Sequence, residues 1–242
     1  MLDFIKNISD RRLNYGRNTI IKFSKFITYE PNKVLDVGCG MGFDLLNIKK
    51  VYPKIELFGI DSDFGDKINF LKNNENNIKV LNSDIEEEEI KFKDESFDII
   101  LSNQTLEHCK NIHHIINQCN RLLKINGIFI VGVPNLASFH NRLALMMGIQ
   151  PPSIKIDSGH VRGFTANELI NFIIKISDNS LKFISLEGSN FYPFPPVISK
   201  LLSKLFPKLS VSVFLAFRKN KKYQQIYINQ LKHDPYETKY KF

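Results

Sequence analysis

Residues 34–46, Val34-Leu35-Asp36-Val37-Gly38-Cys39-Gly40-Met41-Gly42-Phe43-Asp44-Leu45-Leu46, decide how the rest of the chain is read. A buried-strand run passes straight into three glycines at alternate positions and then into a helix start. Strand, tight turn and helix in that order build a nucleotide site. Glycine is needed because the chain turns sharply, in places with positive φ, and because a side chain would hold the ligand away from the backbone. Counted from Gly38, a dinucleotide fingerprint requires glycine at position 43, which is Phe43. No Gly-Lys-Ser or Gly-Lys-Thr ends the turn, so a P-loop is excluded. Asp36, just ahead of the glycines, disfavours a bound pyrophosphate and favours a cationic ligand group.

From Lys33 onward, short β-branched runs alternate with longer helix-like stretches, the pattern of a parallel sheet wrapped by crossover helices. Strands are expected at Lys33 to Val37, Leu57 to Ile60, Lys79 to Leu81, Phe97 to Ser102 and Gly127 to Val133. Helices are expected at Phe43 to Val51, Gly65 to Leu71 and Ile112 to Leu123. The core is therefore α/β and doubly wound. After Pro134, an apolar helix-like stretch from Leu136 to Met147 and the loop Gln150-Pro151-Pro152-Ser153 read as an inserted cap. Thr165-Ala166-Asn167-Glu168 is a capping-box pattern opening a helix that runs to Ile176. Lys182 to Glu187 and Ser210 to Arg218 suit late strands, with Pro193, Pro195 and Pro196 marking the loop between them. Within Phe191 to Phe206, Ile198, Leu201, Leu202 and Leu205 recur at helical spacing and read as core packing, contact with a lipid-linked acceptor being the other use.

At 242 residues the chain suits one large domain with decorations. The expected organisation is an N-terminal helical segment over residues 1–30, one domain over 31–219 with a cap insertion at about 136–163, and a polar basic tail over 220–242. Hydrophobic residues at 43% and charged residues at 24% exclude a disordered chain. Apolar runs break well before the roughly 18 residues of a spanning helix, and the N-terminus lacks an apolar signal core, so no transmembrane segment and a cytoplasmic location are expected. Cys39, Cys109 and Cys119 have no metal-ligand spacing, so neither a disulfide framework nor a metal site is expected. The net charge of +8 is uneven: the centre is acidic and both ends are basic. The run Arg218-Lys219-Asn220-Lys221-Lys222 reads as solvated surface before it reads as a phosphate or lipid contact.

The glycine stretch resembles motif I of the class I S-adenosylmethionine-dependent methyltransferases, and further segments match in order. Phe58-Gly59-Ile60-Asp61 is similar to the family's second strand, which ends in an acid that bonds both ribose hydroxyls. Val80 to Ile85 resembles the third, where Asp84 would meet the adenine amine and Ile85 the ring. Phe97 to Asn103 resembles the fourth, and Leu122 to Ile130 the entry to the fifth. The resemblance implies a Rossmann-like, mostly parallel seven-stranded sheet with a helical cap and S-adenosyl-L-methionine as cofactor. Asp36, Gly38, Cys39, Gly40, Gly42, Asp61, Ser62, Asp84, Ile85 and Asn103 would then bind it. Taken singly, Asp61 is also a plausible strand-end cap and Asp84 a turn residue. Met41 and the glutamate run Glu86 to Glu89 depart from the family pattern.

For an oxygen or nitrogen acceptor a general base helps, and histidine is the side chain suited to that task near neutral pH. His108 follows the fourth strand, at the end of the sheet where open α/β folds bind ligands. His160 and Arg162 lie in Gly159-His160-Val161-Arg162-Gly163-Phe164, a segment resembling the region after the fifth strand in the type 11 and MetW-like groups. His108 and His160 are the catalytic candidates, and with Arg162 they form the acceptor-binding set. Packing of His108 and loop anchoring by His160 and Arg162 are the plainer alternatives. His113 and His114 read as surface residues, and Tyr15 and Arg17 as weak candidates to close over the cofactor. The leading expectation is O-methylation of a small-molecule or glycan hydroxyl. Nucleic-acid, lipid or quinol methylation and non-catalytic cofactor binding stand behind it, and the oligomeric state is left open.

Overall fold

The computed structural model describes residues 16–63, 65, 71 and 77–225. The expected helix from Gly65 to Leu71 falls mostly outside these residues, as do Tyr15, the first half of the N-terminal segment and most of the tail.

The chain builds a seven-stranded sheet. Its strands are β1 (Lys33–Val37), β2 (Glu56–Asp61), β3 (Lys79–Asn82), β4 (Phe97–Asn103), β5 (Leu123–Pro134), β6 (Leu181–Ser189) and β7 (Ser212–Lys219). They lie in the order β3-β2-β1-β4-β5-β7-β6. The first five pair in parallel, and β7 runs antiparallel between β5 and β6. The order reverses direction at β1, so the carboxyl ends of β1 and β4 open a crevice, the place where such sheets bind ligands.

The period of two along β1 feeds both faces. Leu35 and Val37 join Phe58, Ile60 and Ile100 in one apolar layer, and Val34 joins Leu57, Ile99 and Leu101 in the other. Helices α1 (Arg17–Ile21) and α2 (Phe43–Val51) cover the second layer with Ile20, Leu45 and Ile48. On the first layer lie α3 (Ile112–Leu122) and α5 (Ala166–Ile176), through Ile115, Ile116, Leu169 and Ile173. Thr165 caps α5 as expected, its Oγ1 accepting from Glu168 N at 3.4 Å. Between α3 and α5 the chain forms α4 (Phe139–Met146) and the loop that carries His160. This excursion leaves and returns at one point, where Leu136 N–H donates to Phe164 O at 2.8 Å. The last helix is α6 (Pro196–Leu205).

Three expectations need correction. The stripe Ile198, Leu201, Leu202 and Leu205 is not core: α6 packs inward through Ser199 and Ser203, and most of its leucines face outward. His113 and His114 are buried, because α3 is covered on both sides. The His113 ring meets Phe172 edge-on at 4.9 Å, and His114 Nε2 lies 2.9 Å from Glu88 O. The basic run at Arg218 is only partly solvated, since β7 carries it into the fold. Lys219 is fully buried and donates to Asn120 O at 2.8 Å and Leu123 O at 2.7 Å, capping the last turn of α3, with Glu95 at 3.4 Å. Arg218 donates to Phe26 O, holding the N-terminal segment to the sheet.

Replacing Lys219 leaves buried carbonyls and Glu95 without their cation. Lys219→Ala is expected to lower unfolding stability by about 3 kcal/mol in urea titration. A loss below about 1 kcal/mol, the value of an exposed pair, would show that the lysine is dispensable.

Candidate functional site

The site begins where β1 ends. Gly38 N and Cys39 N both donate to Ile60 O, at 2.8 and 3.0 Å, tying the turn to β2. Gly40 N donates to Asp61 Oδ2 at 2.8 Å, so the acid at the end of β2 also fixes the turn. Gly38 has φ +80°, and a Cβ there would lie 2.3 Å from Thr105 Oγ1, so only glycine fits. Gly40 is the opposite case: an added Cβ would meet nothing within 4 Å. The face of the turn above Gly40 is therefore open.

Two cavities meet over this turn. The smaller, about 360 Å³, is lined by Asp61, Ser62, Asp84, Ile85, Glu86, Thr105 and Cys109. The larger, about 1220 Å³, is lined by Cys39, Gly40, Met41, Asp44, Asn103, Glu107 and His160, among others. Gly38, Gln104 and His108 border both. Three carboxylates line the smaller cavity with neither lysine nor arginine, which repels a phosphate and suits hydroxyl and amine donors. Ile85 supplies an apolar wall. These residues fit a phosphate-free nucleoside, and the larger cavity leaves room for its polar tail beside Asp44 and Asn103, whose side chains bond at 2.9 Å.

Eight of the ten expected cofactor-binding residues border these cavities; Asp36 and Gly42 do not. Asp36 is buried behind the turn. Gly42 N-caps α2, and a Cβ there would press on Leu71 and Ile78. The glutamate run supports the frame. Glu86 Oε2 accepts from Asn111 N at 2.8 Å ahead of α3, and Glu88 Oε2 accepts from Ser83 Oγ at 2.8 Å.

On the acceptor side, His108 and His160 face one another edge-on with ring centroids 4.8 Å apart. His108 Nδ1 lies 2.9 Å from Gly159 O, and His160 Nδ1 lies 2.9 Å from Ser153 O. A carbonyl only accepts, so each Nδ1 carries the hydrogen, and Nε2 is the ring nitrogen left outside that bond. Arg162 is not part of this set; it lines neither cavity and donates to Lys110 O at 2.6 Å. The residue that sequence reasoning missed is Glu107. It is buried at the cavity wall, and one of its carboxylate oxygens lies with a ring nitrogen of His108 and one of His160, all within 4.8 Å of one another. Its place directly after the apolar β4 run and before a candidate base was the signal available. Burial pushes its carboxyl up to about 7, only partly offset by its own backbone N–H.

A mostly parallel sheet in this order, with a carboxylate-lined cavity at its switch point, is the fold of the class I S-adenosylmethionine-dependent methyltransferases. The family model described as "Methyltransferase domain" matches residues 30–169, and the chain belongs to that family. The malonyl-[acyl-carrier protein] O-methyltransferase of Bacillus cereus is 26% identical over 98 residues, covering 40% of this chain and 36% of that protein. The ubiquinone biosynthesis O-methyltransferase of Pelagibacter ubique is 29% identical over 136 residues, covering 54% and 55%. The chain thus spans between about a third and just over half of these curated relatives. In fold it is similar to a SAM-dependent methyltransferase from Archaeoglobus fulgidus, with TM-score 0.57, 19% identity, and 84% and 94% of the two chains covered.

Because the Glu107 carboxyl holds its proton to higher pH when folded, its contribution to stability is complete below the ordinary carboxylate range and is lost as pH rises through about 7. Glu107→Gln removes that loss. Chemical unfolding between about pH 5 and pH 8 should show the variant gaining on the parent as pH rises, whereas a constant difference would mean the carboxyl titrates normally.

Proposed function

We propose that this protein transfers the methyl group of S-adenosyl-L-methionine to a hydroxyl of a small-molecule or glycan acceptor. The observation that carries this reading is the placing of His108 on the border between the two cavities, with Nδ1 held by Gly159 O so that Nε2 is the ring nitrogen left for an acceptor. The two curated relatives described above are both named O-methyltransferases, which supports oxygen as the methylated atom.

When bound, the cofactor supplies a methyl group on a sulfonium, already an electrophile. Asp61 would accept hydrogen bonds from the ribose and Asp84 from the adenine amine, and Ile85 would lie against the ring. Asp44 and Asn103 hold the amino-acid end. The acceptor hydroxyl enters the larger cavity beside His160. His108 Nε2 would take the hydroxyl proton, so that the oxygen could accept the methyl group that the cofactor would supply. Glu107, whose carboxyl burial pushes up to about 7, lies within 4.8 Å of that imidazole. A nucleic-acid acceptor has weaker support, because Arg218 and Lys219 are used within the fold rather than offered to a phosphate backbone.

Calorimetry with S-adenosylhomocysteine tests the donor half of this reading, and an assay with methyl-labelled cofactor against pooled sugars, lipids, quinol precursors and RNA tests the acceptor half. Asp61→Ala is expected to weaken cofactor binding by about 1.5 to 3 kcal/mol, as for lost charge-assisted hydrogen bonds. Unchanged affinity would remove Asp61 from the ribose. His108→Ala should keep that affinity while lowering turnover by about 100-fold or more. Full turnover in this variant would assign the proton elsewhere.

A further inference from the structure

Helix α6 is turned inside out. A surface helix ordinarily buries its apolar stripe and exposes its polar one. Here Ser199 and Ser203 are 3% and 4% exposed, whereas Val197 is 83% and Leu201 57% exposed. Val197, Leu201 and Leu205 follow one another at intervals of four, so they form a single outward row, with Ile198 and Phe206 beside it. The inward serines are no accident of a loose end: Ser199 Oγ accepts from Phe191 N at 2.6 Å, which fixes the helix by its polar face.

A second exposed apolar group lies at the end of α4. Leu145 and Met146 close that helix, Met147 and Ile149 follow it, and Met146 is 83% exposed. Aromatic contacts tie the start of α4 to the loop before α6, Phe139 with Phe191 at 5.8 Å and His140 with Tyr192 at 5.4 Å. Exposed apolar groups of this kind mark interaction sites.

Charge decides what covers it. From Gly188 to Gln225 the sequence holds no acidic residue, and from Asn135 to Ile156 it holds none. Lys200 and Lys204 are exposed along α6 and Lys208 just beyond it, and Arg142 and Lys155 flank the α4 group. A second copy of this chain would bring lysine against lysine, because a twofold interface pairs a patch with itself. An anionic lipid surface offers both an apolar layer and negative headgroups. At 10 residues α6 is about 15 Å long, far short of a span, and no helix among the described residues is long and apolar enough to cross a membrane. Its geometry is that of a helix lying in the interface plane.

We infer that α6 and the end of α4 dock this protein on an anionic bilayer, with the leucine row entering the acyl boundary and the lysines meeting the headgroups. The insertion that carries the exposed methionines also carries His160, which lines the larger cavity. Docking itself does not depend on which hydroxyl is methylated.

The test is co-sedimentation of the full chain with phosphatidylcholine vesicles, with and without about one third phosphatidylglycerol. The protein should bind the anionic vesicles and release in high salt. Leu201→Glu combined with Val197→Glu should lower binding at least tenfold, and Lys200→Gln with Lys204→Gln about fivefold for each lysine lost. All variants should keep their affinity for S-adenosylhomocysteine by calorimetry, which separates lost docking from lost folding and from failure of the cofactor reading. Equal binding to neutral and anionic vesicles, or no binding to either, overturns the inference. So does a dimer in analytical ultracentrifugation that Leu201→Glu dissociates.

Discussion

Everything functional in this chain depends on one chain reversal. At the end of β1, two successive backbone N–H groups converge on Ile60 O, a third reaches Asp61, and Gly38 presses against Thr105 at the exit of β4. Three strand ends are thereby held at one point. The carbonyl of Ile60 is satisfied without a side chain, so the space above the turn stays clear. The cleft is a direct result of backbone hydrogen bonding, and α2 starts where it does because Gly42 releases the chain from that knot.

The acidic centre and basic ends of the chain, visible as a charge pattern, have separate structural meanings. Glutamates 86, 88 and 89 hold α3 and its flanking loops through Asn111, Ser83 and Arg121. They shape the nucleoside cavity largely by positioning what surrounds it. At the other end, Lys22 and Lys25 meet Glu187, at 3.1 and 3.5 Å, pinning the segment before β1 to the edge strand β6. Net charge says little about such uses, because a charge becomes structural only when the fold gives it a partner.

The sheet and the glycine turn were legible because their signals are local. Alternation fixes strands, Phe43 rules out the dinucleotide spacing, and Thr165 with Glu168 marks a helix start. What was not legible depends on contacts distant in sequence. Periodicity identifies the apolar row of α6 but carries no information on which way the row points; the serines opposite decided that by fitting closely against the loop at Phe191. Lys219 looked like one cation in a solvated run until the end of α3 came to lie beside it. His113 and His114 looked polar and exposed until Phe172 and the Glu88 carbonyl covered them. Arg162 shares a hexapeptide with His160, yet the loop turns its guanidinium toward Lys110 and away from the cavity. Glu107 was overlooked because a glutamate between leucine and histidine carries no mark of burial.

The loop that brings His160 to the larger cavity is also bonded to its opposite wall. Gly159 O anchors His108 Nδ1, and Val161 N–H donates to Glu107 O at 2.8 Å. The orientation of the His108 ring and the seat of the cap are therefore a single arrangement. A change that shifts Gly159 also shifts the imidazole, through a backbone oxygen some fifty residues away in sequence from the ring it holds.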